Sequence, residues 1–430
     1  MTTIAEVRLW GTRIGAVSLE ENSNTAAFEY DPRFIPSGIQ VAPIAMPLGP
    51  RVYSFPALPA ASFHGLPGLL ADSLPDRFGN ALVDTWLASQ GRLPESFNAV
   101  ERLCYTGTRG MGALEFAPVA GPNSTRSETI QVSELVKIAS QILSSRSSLR
   151  VPFTPDAQTD ALRHILHVGT SAGGARAKAV IAWNPDTGEV RSGQVATPGF
   201  EYWLLKFDGV SGNRDRELND PAGYGTVEYA YYLMTQKAGI TMAECRLLEE
   251  SGRRHFMTRR FDRLPGGDKI HMQSLAAMAH FDFNNPGGHS YEQALLIMRQ
   301  LGLPMEDLEE QYRRMVFNVL ARNQDDHVKN IAFLMDRTGR WRLSPAYDVT
   351  YAYNPSGAWT ARHQMSLNGK RDDFTPPDFE AVAETASLSK SRAAHIVQTV
   401  QEALTTWPDC AREAGVRADW IKAIAKNHRP

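Results

Sequence analysis

The stretch 313–336, RRMVFNVLARNQDDHVKNIAFLMD, sets the tightest constraint on how the chain folds. Two apolar runs flank the octet NQDDHVKN (323–330), which holds two carboxylates, a histidine, a lysine and two asparagines. The run before it has the i, i+3, i+4 spacing of an amphipathic helix, and IAFLMD after it reads as a strand. Flanks of this kind bury themselves, so the octet is fixed at a helix-to-strand junction beside the core. Polar groups held in such a place need partners or a task. Beyond the strand, RTGR turns the chain and WRLSP returns it to AYDVTY (346–351). A hairpin brings its two ends together, so Asn330 and Asp348 are expected to be neighbours.

Size and composition exclude several classes. The chain has 430 residues, enough for two or three domains, with 43% hydrophobic and 21% charged residues. A net charge of -2 argues against a generally cationic nucleic-acid binder. Cys104, Cys245 and Cys410 lie far apart and form no CxxC pair, so neither a disulfide framework nor a zinc site is indicated. No apolar run is long enough for a membrane span, and the first residues lack the pattern of a signal peptide. A cytoplasmic protein is the expectation.

Along the chain, EVRLWG, IGAVSL and AAFEYD read as short strands in residues 1–118. A helix is expected to start at Pro75, with Ser73 as its cap, and to run through Trp86. Residues 121–128, GPNSTRSE, read as a linker, and IQVSELVKIASQILSS after them as a helix. ILHVGTSAGGARAKAVIAW (165–183) reads as strand, Gly-rich loop, strand. EYWLLKFDG is a further strand, TVEYAYYLMTQKAG a helix, and HFMTRRFDR a strand entering a loop. From about residue 270 helical patterns dominate. The fold class is therefore α+β in two lobes, with a strand-rich N-terminal half carrying a small extra module and a mostly helical C-terminal lobe.

Four polar islands carry candidate chemistry. In the first, Asp325 precedes Asn330 by the D-x-x-x-x-N spacing of a protein-kinase catalytic loop, where the Asp accepts the acceptor hydroxyl proton and the Asn holds metal. Asn330 and Asp348 together are hard oxygen donors suited to Mg²⁺. The second, GTSAGGARAK (169–178), is not a Walker A loop, because Ala175 stands where lysine is needed. Its small residues still suit a phosphate, with Arg176 and Lys178 adding positive charge. The third is Lys206, a single lysine in an apolar strand, for which Glu228 on the next helix is the natural partner. The fourth is MTRRFDR (257–263), at the seam between the halves. The same residues also suit plainer roles: Asp325 and Asp326 as caps of a turn, 169–178 as a Gly-rich turn, Lys206 on an edge strand facing solvent.

Taken in order, these motifs resemble the HipA family of bacterial toxin-type serine/threonine kinases over nearly the whole chain. GTRGMGALEF resembles the family's N-terminal subdomain, GTSAGGARAK its phosphate loop, LLKF its ATP-lysine strand, RRFDR its hinge, and NQDDHVKN with SPAYDV its catalytic loop and metal aspartate. The resemblance implies a two-lobed kinase-like fold with an N-terminal subdomain over 1–120, a kinase N-lobe over 121–258 and a helical C-lobe over 259–430. It implies that Asp325 is the catalytic base and that Asn330 and Asp348 are Mg²⁺ ligands. Lys206 falls on the ATP phosphates, with His327 and Lys329 lining the nucleotide. Ala172, Gly173, Gly174, Ala175, Arg176, Ala177 and Lys178 form the phosphate loop, and Arg259, Arg260 and Phe261 the adenine hinge. Ser171, with Thr170 as the alternative, matches the serine whose autophosphorylation switches the enzyme off.

The resemblance further implies ATP and Mg²⁺ as cofactors and a protein substrate with a Ser or Thr acceptor. It also implies a helix-turn-helix antitoxin of the HipB type, through which any DNA contact runs, and no membrane. Two departures stand out. Arg176 replaces the Gln of the family's G-A-Q-x-K, and Arg259 stands where an acidic residue is common. The arginines Arg253, Arg254, Arg259, Arg260 and Arg263 are assigned to the nucleotide site or to solvent. Three other readings compete: a metal-dependent phosphohydrolase on Asp325, Asp326 and His327, a non-catalytic nucleotide-binding co-repressor, and a small-molecule kinase.

Overall fold

The computed structural model describes residues 2–121, 127–144, 164–166, 168–169, 176–193, 198–210, 214–215, 218–219 and 222–429. The alternating strands of the N-terminus form an antiparallel five-stranded sheet in the order Val52–Tyr53, Ala27–Tyr30, Thr12–Leu19, Thr3–Leu9, Leu114–Ala117. Val7, Val17, Phe28 and Phe116 line its buried side, as a period of two requires. Between the last two of these strands in sequence lie four helices. The longest, Arg77–Ser89, begins at Asp76, whose Oδ1 accepts from the Gly79 amide at 2.7 Å. The cap is thus Asp76 and not Ser73, and Pro75 precedes the helix. A carboxylate at this position satisfies an amide that has no partner inside the helix and also meets the positive end of the helix dipole.

A second five-stranded sheet has the order Cys245–Glu250, Arg253–Arg259, Glu201–Lys206, Lys178–Trp183, Val190–Ser192. Its middle strand is the one that carries Lys206, which excludes the solvent-facing edge position. The helices Val132–Ser144 and Tyr224–Lys237 accompany it. Residues 164–166 and 168 are helical, which corrects the strand expected at the start of 165–183. Its three apolar residues, Ile165, Leu166 and Val168, are too few to distinguish the two by periodicity. The C-terminal lobe packs the helices Tyr291–Gln300, Met305–Leu320, Pro376–Thr385 and Lys390–Thr405 around Tyr312, Phe317 and Trp407. Two begin with reciprocal caps: Ser290 with Gln293, and Thr375 with Asp378. A three-stranded sheet, His271–Ser274, Ala332–Met335, Trp341–Leu343, supports the octet from one side. The three cysteines are buried free thiols.

His271 in that sheet is 1% exposed and lies edge-on to Trp341, with ring centroids 5.6 Å apart. Burial pushes its pKa down to about 3. The unfolded chain takes up this proton below about pH 6.5, whereas the folded chain refuses it until far lower. The sign follows: stability from this group is whole above about pH 6.5 and falls progressively as the pH drops toward 3. At pH 5 the loss is about 2 kcal/mol. Denaturant titrations at pH 7.5 and pH 5 check this. A His271→Leu protein is expected to lose about that much of the wild-type pH dependence, and an unchanged dependence would contradict the assignment.

Candidate active site

The octet sits where its flanks predict. The helix Met305–Leu320 ends at Ala321, and Arg322 turns the chain with a left-handed φ of 58°. Val328 and Ile331 are buried, and their carbonyls accept from the Ala276 and Leu275 amides at 3.2 and 2.8 Å. These contacts pin both ends of the VKN segment. Within the loop, Asn330 Nδ2 donates to the Asp325 carbonyl at 2.9 Å, and the Asn330 amide donates to His327 O at 2.8 Å. Asp325 Oδ1 accepts from Trp359 Nε1 at 2.7 Å, which orients the carboxylate. The Trp359 contact crosses 34 positions of chain and carries no local sequence signal.

Asp326 points the other way. It is 3% exposed and accepts from the Tyr291 hydroxyl at 2.6 Å and the Gln364 amide at 2.7 Å, with His363 Nδ1 2.8 Å away. Burial opposes its charge, but His363 and these donors hold its pKa below the ordinary carboxylate value. Asp326 therefore braces the loop from inside. That rules out the phosphohydrolase reading, in which Asp325, Asp326 and His327 would share one metal in the cavity.

Lys206 joins the two lobes. Its ammonium lies 2.5 Å from Glu228 Oε1 and 2.5 Å from Asp348 Oδ1. Burial works against a charge on Lys206, but the Asp348 and Glu228 carboxylates outweigh it and hold the pKa above the usual lysine range. Burial also works against a charge on Asp348, yet Lys206 holds it well below the usual carboxylate range. Glu228 is 0% exposed; burial lifts its carboxyl, while Lys206 and Arg176 pull it back. Arg176 lies 3.5 Å from Glu228 Oε2 and stacks over Tyr224. Asp348 itself has a φ of 56°, a left-handed conformation that few residues besides Gly and Asn/Asp adopt readily. The Tyr347 hydroxyl donates to Lys329 O at 2.5 Å, which ties the far end of the hairpin to the octet.

One cavity of about 430 Å³ collects these groups. Asp325, His327, Lys329, Asn330 and Asp348 line it from the C-terminal lobe, and Lys178 and Lys206 from the second sheet. Arg259, Arg260 and Phe261 line its seam. The expectation that Asn330 and Asp348 share a site thus holds in the geometry. Arg259 is paired with Glu201 at 3.2 Å and Glu244 at 3.3 Å. Arg260 and Arg263 do not offer their charge to the cavity. Both clamp the buried carboxylate of Asp262, and both donate to Gly110 O at 3.3 and 3.1 Å. Their guanidinium groups therefore fasten the seam to the N-terminal sheet region, while Arg260 still borders the cavity. Lys178 is paired with Asp76 at 3.2 Å. Thr170, Ser171, Ala172, Gly173, Gly174 and Ala175 lie outside the described residues.

The donor set fits Mg²⁺. Asn330 commits its Nδ2 to Asp325, so its Oδ1 is the atom left for a cation, in the cavity that Asp348 also lines. Among the described residues no group of three or more His, Cys, Asp or Glu could hold a metal ion. Two hard oxygens with no cage suit a cation that completes its shell with phosphate oxygens and water.

Comparison with known proteins settles the family. A model described as the HipA-like C-terminal domain matches residues 170–407, and one described as the HipA N-terminal domain matches residues 5–117. The chain belongs to the HipA family. Two relatives in Sinorhizobium fredii carry the names "Putative kinase Y4dM" and "Putative kinase Y4mE". They are 30% identical over 178 residues and 27% identical over 196. These matches span 40% and 42% of this HipA-family chain, and 39% and 46% of the relatives' own lengths. Among solved structures, HipA of Shewanella oneidensis MR-1 was determined in complex with HipB and operator DNA of its toxin antitoxin system. It superposes with a TM-score of 0.68 at 16% identity, over 98% of this chain and 94% of that one. The α+β fold expected from the sequence is thus the fold of a HipA protein. Among the described residues no helix is long and apolar enough to cross a membrane.

Proposed function

We propose that this HipA-family protein is an ATP- and Mg²⁺-dependent serine/threonine protein kinase and the toxin of a toxin–antitoxin pair. Its parts would be the subdomain 1–120, an N-lobe over 121–258 and a C-lobe over 259–430. The observation that carries the reading is the convergence on one cavity of Asp325, Asn330, Asp348 and Lys206, the last backed by the buried Glu228. A retired site has no reason to keep a buried lysine with two carboxylates in it, because the arrangement costs desolvation and is replaceable by apolar packing.

In the reaction, Lys206 and Lys178 face the phosphates of ATP, and Arg259 to Phe261 border the base. Mg²⁺, held by Asn330 and Asp348, would supply charge neutralisation for the phosphate oxygens. Asp325 takes the proton of the acceptor hydroxyl as that oxygen bonds to the γ-phosphorus and the bond to the β,γ-bridging oxygen breaks, releasing ADP. The transition state is loose, so positioning and fixed charge do most of the work. Phosphate added to Ser171 or Thr170 would bring about -1.5 to -2 charge to a segment that precedes the cationic residues Arg176 and Lys178, which gives an electrostatic basis for self-inhibition. The HipB- and DNA-bound relative supports an antitoxin partner of the HipB type and DNA contact through that partner; a cytoplasmic setting is part of the same proposal. Titration calorimetry with ATP tests the nucleotide part. Saturable binding with Mg²⁺ that weakens strongly in EDTA is expected; absence of binding, or indifference to chelation, would overturn it.

A further inference from the structure

The kinase reading leaves the N-terminal domain without a task, yet that domain reaches into the cavity. Asp76 Oδ1 is committed to the Gly79 amide, and Oδ2 lies 3.2 Å from the ammonium of Lys178. Both side chains are buried, 8% and 4% exposed. Lys178 stands directly opposite Lys206 in the antiparallel register. Like charges facing each other across two strands repel, and Lys206 already has Glu228 and Asp348. Among the ion pairs of the described residues, Asp76 is the carboxylate that answers Lys178.

The anchor is firm. Phe78, Ala81 and Leu82, on the same helix, share one core with Ala177, Ala179 and Leu205. On the other side of the segment 170–175, a Cβ on Gly169 would come within 2.2 Å of Leu82 Cδ1. The Leu166 carbonyl accepts from Arg109 Nη1 at 2.9 Å. The residues before and after that segment are thus both seated on the N-terminal domain.

We infer that Asp76 is a positioning residue of the phosphate site: it holds the Lys178 ammonium at the cavity, so that the N-terminal domain is a working wall of the nucleotide site. This rests on the kinase reading, and Asp76 itself touches no nucleotide. The test is Asp76→Asn, because Asn caps a helix as well as Asp but carries no charge. Titration calorimetry with Mg-ATP is expected to show affinity weakened about ten-fold, with the melting temperature close to wild type. Asp76→Glu is expected to recover part of the loss. In a Lys178→Gln background, Asp76→Asn should cost nothing more, since the two act as one unit. Unchanged affinity in Asp76→Asn, or tighter binding, would overturn the inference while leaving the kinase reading intact. Additive losses in the double variant would also overturn it. Should Asp76→Asn fail to fold, Asp76→Glu alone decides: it keeps the charge but, one methylene longer, weakens the cap and shifts Lys178, so wild-type affinity in it would count against positioning. Wild-type protein that does not bind Mg-ATP overturns both.

Discussion

Replacing Asp325 with Asn is expected to cut phosphoryl transfer by about 10²- to 10⁴-fold while nucleotide affinity stays near wild type. The amide cannot take the acceptor proton, but it preserves the shape of the side chain and can still meet Trp359. The rest of the loop is held by other bonds: Asn330 to the Asp325 carbonyl, which is backbone, and Asp326 to Tyr291, Gln364 and His363. The expected signature is therefore a loss in kcat with little change in the KM for ATP. Steady-state kinetics on wild type and variant checks it. A fall confined to ATP affinity would place Asp325 among the binding groups instead.

The second large effect concerns stability. Lys206→Met removes the cation between Glu228 and Asp348: it leaves Glu228 buried without its partner, while Asp348, 32% exposed, is eased by solvent. Breaking a buried pair in this way costs about 3–5 kcal/mol, and activity is lost with it. The pH dependence has a definite sign. In the wild type the folded pKa of Asp348 is depressed, so its contribution is complete above the unfolded value near 4 and disappears as the pH falls through that range. In the variant both carboxylates titrate upward, and protonation relieves them. The gap between wild type and Lys206→Met is expected to be widest near pH 7 and to narrow toward pH 5. A double variant, Lys206→Met with Glu228→Gln, should recover part of the loss. Denaturant titration at the two pH values measures this; a gap that widens on acidification would contradict the assignment.

Much of the site was legible because its parts are local. Asp325 and Asn330 lie five residues apart in one loop, and Lys206 and Glu228 are only 22 positions apart. The hairpin from Ala332 to Leu343 returns Asp348 to Asn330 by its own geometry. What escaped is what only tertiary packing decides. Asp326 reads like its neighbour Asp325, but the backbone turns it into the core, where Tyr291 and His363 arrive from 35 and 37 residues away. Arg260 and Arg263 look like a cationic patch in sequence, yet Asp262 between them draws both inward. The Asp76 cap has a local signal, an Asp just ahead of an amphipathic run, but Pro75 points to a start two residues before Arg77 and so to Ser73 as the cap. At 165–168 a short apolar run gave no period to read, and helix won over strand through packing on Phe78 and Leu82.

Intact mass after incubation with Mg-ATP, beside an Asp325→Asn control, tests the central claim most directly. Wild-type protein, shown to be unphosphorylated at the start, is expected to gain one phosphate, mapped by fragmentation to Ser171 or Thr170, and the control to gain none. No gain in either protein would contradict the self-phosphorylating kinase, and equal gain in both would contradict the role of Asp325.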